Sequence, residues 1–118
     1  MPHIVLEYSD DIAARCDVAR VLGRLHEAVA VTESFVRDRI KSRAVACATF
    51  RVGSGHPKHF VHASVVFSPG RAEDVRRELG ARLLDILVTE TSSLGSDLSR
   101  SVEIRQFEPG MYFTDGDR

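Results

Sequence analysis

The chemistry in this sequence of 118 residues begins at its second position. Removal of Met1, which a small second residue permits, leaves Pro2 with a free secondary amine. That amine has a lone pair and no side-chain freedom, so it is a candidate general base or nucleophile. A terminal amine is mostly protonated near neutrality, which spoils it as a base. Burial and nearby cations both lower its pKa and free the lone pair. Three cations stand out. Lys41 and Arg43 have the same parity on an extended segment and project from one face. Arg71 follows Ser68-Pro69-Gly70, where a strand gives way to a helix. A guanidinium grips a carboxylate with two parallel hydrogen bonds. A proline base among cations suits an acidic substrate whose proton must move beside a carbonyl. Taken singly, each cation also reads as a solvated surface charge, and many chains open Met-Pro without using the proline.

Other chemistries find less support. The five histidines form no ligand set: His59 and His62 have opposite parity on a strand, His56 lies in a turn and His26 on a helix. No metal and no cofactor is expected. Ser64 and Ser68 lack a glycine-framed elbow, so an acyl-transfer triad is not indicated. Gly53-Ser54-Gly55 is short for a phosphate loop and reads as a tight turn. Cys16 and Cys47 match no metal spacing, and two reduced thiols are expected. The net charge of −1 and the sparse aromatics speak against nucleic acid. No apolar run approaches membrane-spanning length and no secretory pattern opens the chain, so a cytoplasmic protein is expected.

The elements that must position these residues follow from hydropathy. Residues 2–8 alternate, with Pro2, Ile4, Leu6 and Tyr8 on one face and His3, Val5 and Glu7 on the other. Asp17 is a candidate N-cap for an amphipathic helix carrying Val18, Val21, Leu22, Leu25 and Val29, running to about Thr32. Gly23 within it suggests close packing on a sheet. Residues 34–40 form a connector. Residues 41–52 read as a long strand whose small side chains suggest close packing under a helix. After the turn at 53–57, residues 59–67 form the next strand, and the two are candidates for a hairpin. A second helix follows with Val75, Leu79, Leu83, Ile86 and Leu87 on one face. Residues 91–97 form a polar connector, and a last strand runs from about Ser101 to Phe107. In the tail, Met111, Tyr112 and Phe113 favour docking, onto a neighbouring subunit for instance. Residues 114–118 are expected to be loose.

The halves overlay. Leu6-Glu7-Tyr8-Ser9 lies over Val65-Val66-Phe67-Ser68, and Val21-Leu22-Gly23 over Glu78-Leu79-Gly80. The pattern is β-α-β twice, about 1–57 and 58–118, within one expected domain. Each unit should be a parallel, right-handed crossover. The fold class is α+β: a four-stranded mixed sheet with two helices on one face. The other face then needs cover, which argues for an oligomer. Pro2 falls over Val61, which is internal, so only the first copy offers an amine.

The opening Pro2-His3-Ile4-Val5-Leu6-Glu7-Tyr8-Ser9, the segment Ile40-Lys41-Ser42-Arg43-Ala44, and Phe60-Val61-His62 followed by Ser68-Pro69-Gly70-Arg71 resemble the 5-carboxymethyl-2-hydroxymuconate isomerase family of the tautomerase superfamily. The resemblance spans nearly the whole chain. It implies a homotrimer and a cofactor-independent isomerase in aromatic-compound breakdown. Pro2 would take the proton of a 2-hydroxydienoate and return it to carbon further along the chain. Arg71 and Arg43 match family arginines and would bind the acid. Lys41 stands where the family has another arginine, keeping the charge but losing the planar fork. Two alternatives remain open at this level: a sibling tautomerase with a phenylpyruvate-type substrate, and a non-catalytic oligomeric module that binds a small molecule or a partner.

Overall fold

The computed structural model describes residues 1–32 and 35–117. Its single four-stranded sheet has the order β2-β1-β3-β4, with β1 at His3–Ser9, β2 at Lys41–Cys47, β3 at His59–Phe67 and β4 at Leu98–Gln106. β1 pairs parallel with β2 and β3 parallel with β4, each across a helix, while β1 and β3 run antiparallel in the centre. The two expected β-α-β units are therefore present, joined through their first strands.

Helix α1 spans Val18–Ala30 and α2 spans Glu73–Glu90. The Asp17 side chain accepts a hydrogen bond from the Arg20 N–H at 3.0 Å, as an N-cap should. α1 buries Val21, Leu25, Ala28 and Val29; α2 buries Leu79, Leu83, Ile86 and Leu87. Both rest on the sheet face that presents Ile4, Leu6, Val61, Ala63, Val65 and Phe67, all essentially inaccessible. At roughly 1.5–3 kcal/mol per fully buried aliphatic side chain, this layer supplies the main driving force for folding. Arg20 and Arg24 of α1 both reach Glu90 at the end of α2, at 2.9 and 3.0 Å. The pairs lie at the surface and fix the helices' relative register more than they stabilise them.

Several expectations are corrected. β2 and β3 do not form a hairpin, because β1 lies between them and pairs with both. β2 ends at Cys47 rather than near residue 52. Its small residues Ala44 and Ala46 do not pack under a helix but are exposed on an edge strand, and β2 meets α1 at Ser42, whose hydroxyl lies 2.7 Å from His26 Nδ1. Gly23 is exposed, and a methyl group there would meet nothing within 4 Å. The close helix–sheet approach is at Gly80 of α2 instead, where a Cβ would come within 3.3 Å of Ile104 Cγ1. β4 begins three residues earlier than expected, at Leu98. The connectors at 91–97 and 34–40 carry short 3₁₀ turns at Ser92–Asp97 and Arg37–Arg39; Ser34 lies outside the described residues. Asp115–Asp117 takes a 3₁₀ turn, and Arg118 lies outside the described residues.

The face of the sheet away from the helices carries His3, Val5 and Glu7 of β1 beside Lys41, Arg43 and Val45 of β2. Val45 is 43 % exposed. Among the described residues, no helix is long and apolar enough to cross a membrane.

Candidate active site

The start of β1 is held from both sides. The Pro2 carbonyl accepts the Lys41 N–H at 3.0 Å, and the Met1 ammonium donates to the Arg39 carbonyl at 2.6 Å. Pro2 is fully buried, on the same parity as Ile4 and Leu6. A cavity of about 610 Å³ opens beside Met1, with walls that include Arg39, Lys41, Pro69, Phe107 and Tyr112; Pro2 itself lies beneath Met1, outside the lining. The chain leaving β4 closes the cavity's far side. Phe107 N–H donates to the Phe67 carbonyl at 2.8 Å, and a turn at 108–111 returns the tail. Gly110 takes φ 79° in that turn, a conformation that favours glycine.

Cations reach this end from both faces of the sheet. Lys41 pairs with His3 and Arg43 with Val5, so both project from the uncovered face. An Arg43 Nη1 lies 3.3 Å from His3 Nδ1, and His3 Nε2 lies 3.1 Å from the Tyr112 hydroxyl. Arg71 stands on the covered face. Its guanidinium carbon is 3.9 Å from the centre of the Phe35 ring and 5.1 Å from that of Phe67, and Nη1 donates to the Ser68 carbonyl at 3.1 Å. One step beyond the His3–Val66 pair of the antiparallel ladder, Phe67 is the residue opposite Pro2. Arg71 is thus packed behind the cavity rather than in its lining.

These cations mark the local electrostatics. Burial, then Lys41 and then Arg39 lower the pKa of the terminal ammonium below its ordinary value. Burial, then Arg43, the terminal ammonium and Lys41 lower that of His3. Burial alone lowers that of Arg71, which remains a cation. A basic group at this end of β1 is therefore biased towards its neutral form.

Of the residues singled out in the sequence, Lys41 lines the cavity beside the amino terminus, Arg43 stands on the same face two residues on, and Arg71 lies behind it. Three further participants emerge only in the structure. Arg39 closes the 3₁₀ turn just before β2, where strand parity is no guide to direction. His3 faces away from Pro2, as strand parity requires, yet this direction sets it between Arg43 and the tail. Tyr112 docks on this chain itself, with its ring centre 4.8 Å from that of Phe107, while Phe113 is 82 % exposed. Among the described residues, no three of His, Cys, Asp and Glu gather closely enough to hold a metal ion.

Residues 2–116 match the family model described as 5-carboxymethyl-2-hydroxymuconate isomerase. The chain belongs to that family. It is accordingly an isomerase of the tautomerase superfamily. A 5-carboxymethyl-2-hydroxymuconate Delta-isomerase of Escherichia coli is 28 % identical over 116 residues, covering 96 % of this chain and 92 % of that protein. The crystal structure of a 5-carboxymethyl-2-hydroxymuconate isomerase from Deinococcus radiodurans R1 superposes with a TM-score of 0.86 at 26 % identity, covering 97 % of this chain and 88 % of that one. A fused 4-OT symmetric trimer superposes with a TM-score of 0.70 at 14 % identity, over 97 % of this chain and 94 % of the other, a likeness of fold alone. Within the 5-carboxymethyl-2-hydroxymuconate isomerase family, the cationic cavity at the amino terminus is the candidate active site of this member.

Proposed function

We propose that the protein isomerises 5-carboxymethyl-2-hydroxymuconate without a cofactor, using Pro2 as general base once Met1 has been removed. The Pro2 nitrogen takes the proton of the 2-hydroxyl group and delivers it to carbon further along the conjugated chain. The 2-hydroxydienoate thereby becomes a 2-oxo-enoate, and the base is regenerated. Lys41, in the cavity wall, holds a carboxylate, while Arg43 and Arg71 behind the wall add to the positive field that stabilises the charge building on the 2-oxygen. The working unit is a homotrimer, in which the uncovered sheet face, with Val5 and Val45, is buried between subunits. The fused 4-OT trimer of the same fold supports that assembly.

The observation that carries this reading is the amino terminus itself. It lies at a cavity beside Lys41 and Arg39, and burial and these cations bias its amine towards neutrality. The amine of Pro2, one residue on, meets the same field. The test compares two preparations by intact mass and by the loss of dienol absorbance. Protein lacking Met1 should isomerise the substrate, and protein retaining Met1 should not. Equal turnover by both would overturn the role of Pro2. A monomer in light scattering would overturn the trimer.

A further inference from the structure

His3 lies between two groups whose chemistry fixes where its proton is. The guanidinium of Arg43 has only donors, so the His3 Nδ1 it approaches at 3.3 Å must be an acceptor. In the neutral ring the single proton is then on Nε2, which faces the Tyr112 hydroxyl at 3.1 Å and donates to its oxygen. A Tyr hydroxyl has one proton of its own. With its oxygen accepting from His3, that proton is left uncommitted, on a residue that lines the cavity beside the amino terminus. The tyrosine ring is packed on Phe107, itself tied to the Phe67 carbonyl, so the hydroxyl is carried on a braced wall rather than a loose tail. Ring centres of His3 and Tyr112 are 5.9 Å apart, which adds a second contact to the hydrogen bond.

We infer that Tyr112 is a substrate-contacting residue, donating a hydrogen bond from its hydroxyl to an anionic oxygen of the bound acid, and that His3 and Arg43 act behind it as positioning residues that turn the hydroxyl proton towards the cavity. The inference rests on the functional reading above, since it needs an acid bound beside Pro2. The hydrogen bond is an electrostatic contact of the kind that strengthens as charge gathers on oxygen during proton transfer. Protonation of His3 would place a second donor against Arg43 and break the chain of contacts, so the arrangement belongs to the neutral ring.

Two measurements test it. The first is a ¹⁵N–¹H correlation spectrum of the His3 ring at neutral pH, which needs no turnover. A proton on Nε2 is expected; a neutral ring protonated on Nδ1 would overturn the positioning argument. The second compares wild type, Pro2→Ala and Tyr112→Phe, all lacking Met1, on 5-carboxymethyl-2-hydroxymuconate. Tyr112→Phe keeps the ring on Phe107 and removes only the hydroxyl. Its kcat/KM should fall about 10- to 100-fold, as for loss of a hydrogen bond to a charged group, with the circular dichroism spectrum unchanged. Active wild type, impaired Pro2→Ala and unimpaired Tyr112→Phe would overturn the role of Tyr112 alone. An inactive wild type would overturn the functional reading and this role with it.

Discussion

The two β-α-β units share a scaffold and differ at the place where the first carries its candidate site. His3 pairs with Lys41 in the first unit, and its counterpart His62 pairs with Ser101 in the second. His3 sits between Arg43 and Tyr112, whereas His62 Nδ1 lies 2.7 Å from the Ser101 hydroxyl. Pro2 corresponds to Val61, which is buried in mid-strand. Beside Val61 on β4, Arg100 commits its guanidinium to structure: it donates to Thr91 Oγ1 and to the carbonyls of Thr91, Gly95 and Leu98 at 2.7–3.2 Å. Lys41, by contrast, takes part in no ion pair among the described residues and lines a cavity. The helices diverge too. α1 starts from an Asp17 cap, whereas α2 starts at Ala72 with no side-chain cap and leaves Val75, Leu84 and Val88 largely outside. A duplicated framework can place a functional group twice, but in the reading proposed above only the first copy supplies an amine at the start of its strand. The second copy is free to spend its cation on holding β4 to the turn after α2.

Substitutions at the candidate site and at framework positions of the second unit test this contrast, and the pair Pro2 and Val61 is matched across the units. Pro2→Ala should lower kcat/KM by about 10²- to 10⁴-fold, the range for losing a positioned base. Val61→Ala should leave the kinetics of the folded protein alone and cost roughly 1.5–3 kcal/mol in urea denaturation, as a trimmed core residue does. Similar kinetic losses in both variants would erase the distinction. Arg71→Ala should lower kcat/KM by about 10-fold, since removing a cation from behind the cavity weakens the field on the bound acid by roughly 1–2 kcal/mol. Arg100→Ala should instead lower the melting temperature, because it strands the buried Thr91 groups at about 1–3 kcal/mol.

A smaller effect concerns His3. Its pKa is lowered in the fold, so the unfolded chain takes up the proton first as pH falls. Stability should therefore decline as pH drops below the ordinary histidine value of about 6.5, and the decline should level off below the folded value. His3→Gln should flatten this part of a melting-temperature profile; an unchanged slope would remove His3 from the account. The smallest effects lie at the helix starts. Asp17→Ala should cost about 1 kcal/mol, whereas Ala72→Ser should add a few tenths to 1 kcal/mol by supplying the missing cap.

Much of this architecture is legible in the sequence, because alternation in β1 and β3 and the helical spacing of Val21-Leu25-Val29 and Leu79-Leu83-Ile86 record burial directly. The internal match of Leu6–Ser9 with Val65–Ser68 correctly implies two crossovers. What it does not convey is lateral order. Local turn residues at 53–57 suggest that β2 and β3 are neighbours, but parallel pairing of β2 with β1 and antiparallel pairing of β1 with β3 both bury more of the central strand. The small residues of β2 mislead because alanine is equally at home under a helix and on an exposed edge. Near the candidate site, the faces on which Lys41 and Arg43 stand are legible from strand parity. Arg71's place behind the cavity depends on Phe35 and Phe67 packing beneath it. The roles of His3 and Tyr112 depend on a contact across 109 positions of sequence, which no local pattern encodes.

The central position of β1 bears on how the protein is made. The first strand emerges from the ribosome long before either neighbour exists, and its ladder cannot be completed until β3 ends at Phe67. At about 5–20 residues per second, some 60 further residues take roughly 3–12 s. Throughout that interval the amino terminus is unpaired and open to an aminopeptidase, whereas after folding Pro2 is fully buried. Under the role proposed for Pro2, trimming of Met1 is therefore best matched to synthesis, and chains that escaped it then would fold around an amino terminus one residue too long for that role.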